Sequence, residues 1–493
     1  MVTKSSCIIC MEEESLKKRA VKGGIWSGIE QFSNKFIQLV FTIILARMLT
    51  PEDYGVVALT IVFFSIAFVL IDSGFATALI RKPDKNDKDL STCFFFNITV
   101  AVVVYVILFL GAPLIAGFYS QPVLVPVIRV SGIALIIKSL YIVQDAQFQY
   151  NVDFKSLAKI SLTSSVLSGI IGVIMAYWGL GVWALVLQNI SQNIITLSMQ
   201  WVISKWRPML VFSRESFSYL INFGSKLTFS YLIGVIYENL SSVVIGKFYH
   251  SSQLGFYNRA ETIGRMPAAN ITALLQRVSF PIFSIIQDNN ERLSLNFRRC
   301  IRLSVFFCFP VMLGLSALAT PIIRLLLTEK WDGCIYYLQI MCFSFMFYPI
   351  HALNLNLLQV KGRADLFLKL EIYKKMLGIS ILVITAPIGI VAMCYGMVLS
   401  GIICLFINTY YSRHLIGTGF KMQFVDILPC LVNSIVMYLI VHFVISFFDN
   451  ELFSLFVGGF SAVVSYVIGA NILSKKEIKE IKYFFYDKKN NNC

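Results

Sequence analysis

GIWSGIEQFSNKFIQLVFTIILARMLTPEDYG, Gly24 to Gly55, decides the fold, because the chain writes it twice. The stretch runs from an apolar, helix-length segment through Arg47 and a turn at Pro51 to Tyr54-Gly55. Two hundred residues on stands GSKLTFSYLIGVIYENLSSVVIGKFYHSSQLG, Gly224 to Gly255. Both terminal glycines fall in register, and Lys247 stands where the first copy has Arg47. Helix, basic cap, short turn and glycine recurring at one offset indicate an internal duplication.

Around that repeat the chain is too apolar for a soluble domain. Of 493 residues, 57% are hydrophobic and 14% charged. Apolar runs of about 18 residues or more, rising about 1.5 Å per residue, suffice for a hydrocarbon core of roughly 30 Å. The alternating segments of a membrane barrel are absent. The expected fold is an all-α polytopic membrane protein with about 14 transmembrane helices. They fall near 24–46, 55–80, 91–117, 123–145, 158–178, 181–203, 218–246, 255–283, 299–319, 334–357, 366–386, 389–411, 427–448 and 451–473. Kinks are expected at Pro113, Pro267, Pro310 and Pro349.

The net charge of +15 reads as topology rather than as a nucleic-acid footprint. With the N-terminus inside, the cytoplasmic segments hold 29 Lys and Arg, against Arg47, Lys247, Arg324 and Lys330 outside. Both termini are therefore expected to be cytoplasmic. No secretory signal is evident, and Met11 offers an alternative start to Met1. The outer connections are too short for an external domain. Six helices separate the two copies, so the halves are parallel repeats related by an axis along the membrane normal; the resemblance given below implies that they surround a central cavity. They are an N-lobe at 1–203, a cytoplasmic linker at 204–217, and a C-lobe at 218–411. Two additional helices follow at 412–473, then a basic cytoplasmic tail at 474–493. That tail fits a helix on an anionic inner leaflet, and a solvated tail nearly as well. The eleven cysteines read as small buried hydrophobes, and the lone Cys7/Cys10 pair makes no metal site.

The informative residues are polar ones inside apolar spans. Ser27, Gln31, Asn34 and Gln38 share one face of the first helix, flanked by Glu30 and Lys35; Gln188 and Gln192 do likewise in the sixth. Charges fall at Asp72, Arg129, Lys138, Lys226, Glu238, Arg259, Glu261 and Arg265. Each central charge costs roughly 2.5–3.5 kcal/mol on insertion scales. Pairing accounts for single cases, such as Glu30 with Lys35 or Glu261 with Arg265. A water-filled, positively lined cavity accounts for the set, since cations outnumber acids. Arg277 and Arg302 read as snorkelling ends. His351, with Asn354 in the same helix, reads as a hydrogen-bonded buried histidine rather than a proton step. Ser165 with Gly169 reads as helix packing, and Asp87-Lys88-Asp89 as a solvated loop. No Walker A, HExxH or GxSxG motif is present, so neither ATP hydrolysis nor peptide cleavage is expected.

SLKKRAVKGGIWSGIEQFSNKFIQLVFTIILARMLTPEDYGVVAL, then DSGFATALIRK, resembles the N-terminal half of bacterial polysaccharide-export flippases. These are the Wzx and colanic-acid-exporter type of the multidrug/oligosaccharidyl-lipid/polysaccharide exporter superfamily. LGFYNRAETIGRMPAANITALLQRVSFPIFS is similar to the start of their second half, and the resemblance covers about Leu16 to Arg413. It implies a non-enzymatic flippase of the bacterial inner membrane. The cargo would be an undecaprenyl-diphosphate-linked sugar repeat unit, carried to the outer leaflet by alternating access on an ion gradient or the membrane potential. Lys35, Arg129, Lys138, Lys226, Arg259 and Arg265 would bind the diphosphate-sugar head group. Glu30, Asp72, Glu238 and Glu261 would serve as counter-ions or carry coupling H+ or Na+. Beyond the bilayer, the implied partners are a polysaccharide polymerase and other export machinery, with no nucleic acid and no cofactor. A multidrug antiporter calls for an acidic cavity, a polymerase or ligase for a large outer loop, and a non-transporting scaffold has no use for mid-membrane charge.

Overall fold

The computed structural model describes residues 33–72, 74–82 and 84–480, together with 28 and 31; Ser27 and Glu30 lie outside the described residues. Every regular element described is helical. Helix is present in each of the fourteen expected segments. Among the described residues nine helices are long and apolar enough to cross a membrane, or ten if one bent pair is a single span. The chain is a polytopic helical membrane protein, and contacts divide it into two compact units, 1–255 and 256–493.

The first unit holds α1 (33–48), α2 (Pro51–Asp72), α3 (Phe75–Arg81), α4 (Asp87–Tyr119), α5 (Leu124–Ser131), α6 (Ile133–Ser139), α7 (Ile142–Tyr150), α8 (Phe154–Tyr177), α9 (Val182–Ile203) and α10 (Arg214–Phe248). The expected span at 123–145 is three short helices; Leu124–Ser139 and Ile142–Tyr150 meet at 42°. α2 starts with a capping box: Thr50 N and Oγ1 donate to Asp53 Oδ2, and Asp53 N donates to Thr50 Oγ1.

The duplicated stretch meets itself in this unit. A side chain on Gly55 would overlap the Ser251 carbonyl, and one on Gly255 would overlap the Pro51 carbonyl. Adding 200 to 51 and 55 gives 251 and 255, so exchanging the copies maps the contact onto itself. Only glycine allows backbones this close. From there α10 runs along α2 and α3, Gly246 against Leu59 and Gly224 against Gly74. Lys247 Nζ donates to the Phe118 carbonyl at 2.6 Å. α10 thus packs with the first unit, whose contacts end at Gly255.

The second unit takes α11 (Ser251–Ile285) from residue 256, then α12 (Asn290–Ala317), α13 (Ala319–Leu327), a 3₁₀ turn (Glu329–Cys334), α14 (Ile335–Phe345), α15 (Tyr348–Val360), α16 (Ala364–Thr385), α17 (Ile390–Ile416), α18 (Phe420–Ile445) and α19 (Glu451–Leu473). α4, α11 and α12 run on through Pro113, Pro267 and Pro310. Pro349 instead opens α15, where a missing N–H leaves no bond unmade. α18 and α19 are built into this unit: Asn433 Nδ2 donates to the Tyr466 carbonyl at 3.0 Å, and Tyr466 OH to the Phe306 carbonyl at 2.7 Å. Cys93, Cys308, Cys334, Cys342, Cys394, Cys404 and Cys430 are buried and free.

Two loop readings are corrected. Asp89 is buried rather than solvated: it completes a capping box with Asn86 and pairs with Lys82 at 2.8 Å. Arg302 does not snorkel. It pairs with Asp426 at 3.3 Å, Glu480 at 3.0 Å and Glu477 at 3.6 Å, because the helical residues 475–480 fold against α12.

Candidate functional site

In the first unit α6 delivers Lys138, whose Nζ lies 4.1 Å from the centre of the Phe68 ring. The charges of Asp72 on α2 and Asp145 on α7 both act on it. Asp145 Oδ2 accepts from Gln149 Nε2 at 3.0 Å, one turn along α7, and Oδ1 from Gln200 Nε2 on α9 at 3.2 Å. Trp201 Nε1 donates to the Leu140 carbonyl and Tyr141 OH to Asn193 Oδ1, fixing α9 against the α6–α7 bend. Sequence reasoning named Lys138 and Asp72 but missed Asp145, which stands at the edge of the expected span. The run Gln144-Asp145-Ala146-Gln147 was its signal: a carboxylate set among amides.

The other first-unit candidates go elsewhere. Arg129 Nε donates to the Phe109 carbonyl at 3.3 Å and its guanidinium lies 4.4 Å from that ring, apart from the Lys138 cluster's partners. Lys35, Gln31 and Gln38 on α1, and Lys226 and Glu238 on α10, are exposed. Asn34 faces α8, donating to Ser161 Oγ at 2.7 Å and accepting from Ser165 Oγ at 2.6 Å. Gln192 reaches the same Ser165, Gln188 lies against Gly172, and Gly169 takes the Phe41 ring. Part of the polar stripe therefore knits α1, α8 and α9 together.

In the second unit the α11 cations meet aromatic faces. Arg259, 8% exposed, lies 5.3 Å from the Trp331 ring. Arg265 Nη2 donates to Tyr348 OH at 3.3 Å, with its guanidinium 5.9 Å from that ring. Such stacking sets the guanidinium charge against the negative face of the ring. Glu261 on the same helix is half-buried. His351 Nδ1 bonds Asn408 Nδ2 at 3.0 Å, and Asn354 exchanges bonds with Gln423 and accepts from Ser412, as the buried reading expects.

Residues 44–336, more than half of the chain, match the family described as "Polysaccharide biosynthesis protein". The chain belongs to that family. It is 28% identical over 435 residues to the lipopolysaccharide biosynthesis protein WzxC of Escherichia coli K12, covering 85% of this chain and 88% of that one. The teichuronic acid biosynthesis protein TuaB of Bacillus subtilis is 28% identical over 360 residues, 71% of this chain and 73% of its own. Among solved structures, the lipid II flippase MurJ in an inward closed conformation superposes with a TM-score of 0.74 at 16% identity, covering 92% of this chain and 100% of that one. An inward-facing multidrug MATE transporter superposes at 0.59, also at 16% identity, covering 78% and 96%. These likenesses show the fold of the superfamily's transporters.

Two ion-pair groups of the chain are structural by geometry. Asp426 on α18 takes Arg298 at 2.6 and 3.0 Å as well as Arg302. Arg324 bridges Asp332 at 2.8 Å and Glu451 at 2.9 Å, and both carboxylates push its guanidinium above its usual range. In the α3–α4 connection, burial brings the Lys85 ammonium down to about 8, with Nζ 2.9 Å from the centre of the Tyr150 ring. Among the described residues no group of three or more His, Cys, Asp or Glu is placed to hold a metal ion.

Proposed function

We propose that the chain is a lipid-linked oligosaccharide flippase of the inner membrane. It carries undecaprenyl-diphosphate-linked sugar units from the inner to the outer leaflet by alternating access, with both termini cytoplasmic. The observation that carries this reading is the likeness to WzxC over most of both chains. A MurJ-like fold and cations on α1, α10 and α11 support it.

The chemistry needed is modest. A diphosphate head bears about two negative charges and cannot enter hydrocarbon unaided. Arg259 and Arg265, set against aromatic rings, bring guanidinium charge and the planar geometry that suits phosphate oxygens, and exposed Lys35 and Lys226 add charge. Lys138 is the least suited of the six, because Asp72 and Asp145 already act on it. An inside-negative potential favours outward movement of an uncompensated anion by about 2.3 kcal/mol per charge per 100 mV. H+ or Na+ coupling is the other drive. The test is display of surface polysaccharide by cells whose only copy of the protein is a variant. Arg265→Ala and Lys35→Ala should each lose display and accumulate lipid-linked precursor at normal protein level. Normal display from both would overturn the head-group role.

A further inference from the structure

Asp145 on α7 is held by hydrogen bonds rather than by an ion pair to Lys138. Lys138 is near enough for the charges of Asp145 and of Asp72 on α2 to act on it. Both Asp145 oxygens accept amide N–H groups, from Gln149 and Gln200. Gln200 is 1% exposed, and its own carbonyl Oε1 receives no hydrogen bond among the described residues. Asn97 on α4 is fully buried, and its Oδ1 likewise receives none. Its amide reaches Cys93, whose thiol feels the charge of Asp72. Gln200, bonded to the carboxylate, therefore carries a buried acceptor without a donor, a shortfall native interiors avoid. One added O–H donor would correct it.

We propose that Asp145 is a reversible proton-binding site. The proton adds to a carboxylate oxygen and nothing leaves, so the net charge of the cluster rises by one. Lys138 favours the ionised carboxylate. The Gln200 amide, donor on one side and acceptor on the other, turns to accept the new O–H. The remaining titratable groups facing the cluster are Asp72 on α2, Cys93 on α4 and Tyr141 before α7. A sodium ion fits less well, since it needs converging oxygens and those of Asp145 already face N–H donors. The site rests on this geometry; its use as the transport-coupling step rests on the flippase reading.

The test is infrared difference spectroscopy of the purified full chain in lipid nanodiscs, stepped between mildly acidic and mildly alkaline pH. A buried carboxylic-acid band should appear on acidification in the native protein, move in Asp145→Glu and vanish in Asp145→Asn. In Lys138→Met it should appear at roughly tenfold lower proton concentration. An unchanged band in Asp145→Asn overturns the proposal, as does a band that responds to sodium chloride at fixed pH. A missing band beside intact flipping removes this site and leaves the flippase reading; a normal band without flipping does the reverse.

Discussion

The two units treat buried charge in opposite ways. In the second, Asp426 receives two arginines of α12, and Glu477 and Glu480 of the helical residues after α19 join the group. In the first, Asp145 is held by two amides at 3.0 and 3.2 Å, and one of those amides has a carbonyl with no donor. The Asp426 group sets its carboxylate against guanidinium charge through several bonds, as a fastening should. The Asp145 group hydrogen-bonds its carboxylate to neutral amides, as a group that changes protonation needs. Such ionisable groups are therefore best sorted by whether their hydrogen-bond partners are charged or neutral, not by their number.

The largest effect should come from the fastening. Asp426→Ala leaves Arg298 and Arg302 without their shared carboxylate, and the second unit should lose about 3 kcal/mol of stability in thermal unfolding in detergent. Asp145→Asn, by contrast, should shift unfolding by less than about 1 kcal/mol while altering proton uptake, because its amides can rebond the neutral side chain. Equal destabilisation by the two would erase the contrast. The first unit has a rigid part of its own at the duplicated turn. Gly55→Val drives two methyls into the Ser251 carbonyl and should cost about 1–3 kcal/mol or more, read as lost yield of folded protein.

Smaller effects sharpen the same contrast. Arg324→Ala removes a half-exposed pair and should cost at most about 1 kcal/mol, less in high salt. Lys85 should give the smallest signal. It loses its proton near 8 when folded but near 10.5 when unfolded, so the unfolded chain binds more protons between those values and stability rises with pH there. The difference between native protein and Lys85→Met should change slightly in that window and stay flat below it.

Much of the fold was legible in the sequence because it is written in periodicity and repetition. The Gly24–Gly55 and Gly224–Gly255 copies announced the turn whose glycines touch. Apolar runs located the helices, and α9, α11 and α16 are, over their most apolar stretches, less apolar than the other long helices because Gln192, Arg265, Lys374 and similar residues interrupt them. The break of α5, α6 and α7 carried no proline and was missed. The sites were less legible because their partners are distant in sequence: Gln200 lies 55 residues from Asp145, and Asp426 lies 124 from Arg302. Side-chain periodicity says which face is polar, not what that face meets. Asn34 was read as part of a polar stripe on the first helix, and its bonds go to Ser161 and Ser165 on α8.

The central claim is transport of a lipid-linked sugar, and the direct measurement is flipping itself. Purified protein reconstituted into vesicles with a fluorescent undecaprenyl-diphosphate sugar should expose label from the inner leaflet to a membrane-impermeant quencher far faster than empty vesicles. Arg265→Ala should fall to the empty-vesicle rate. Quenching in native-protein vesicles no faster than in empty ones, under an imposed potential and under a proton gradient alike, would contradict the account.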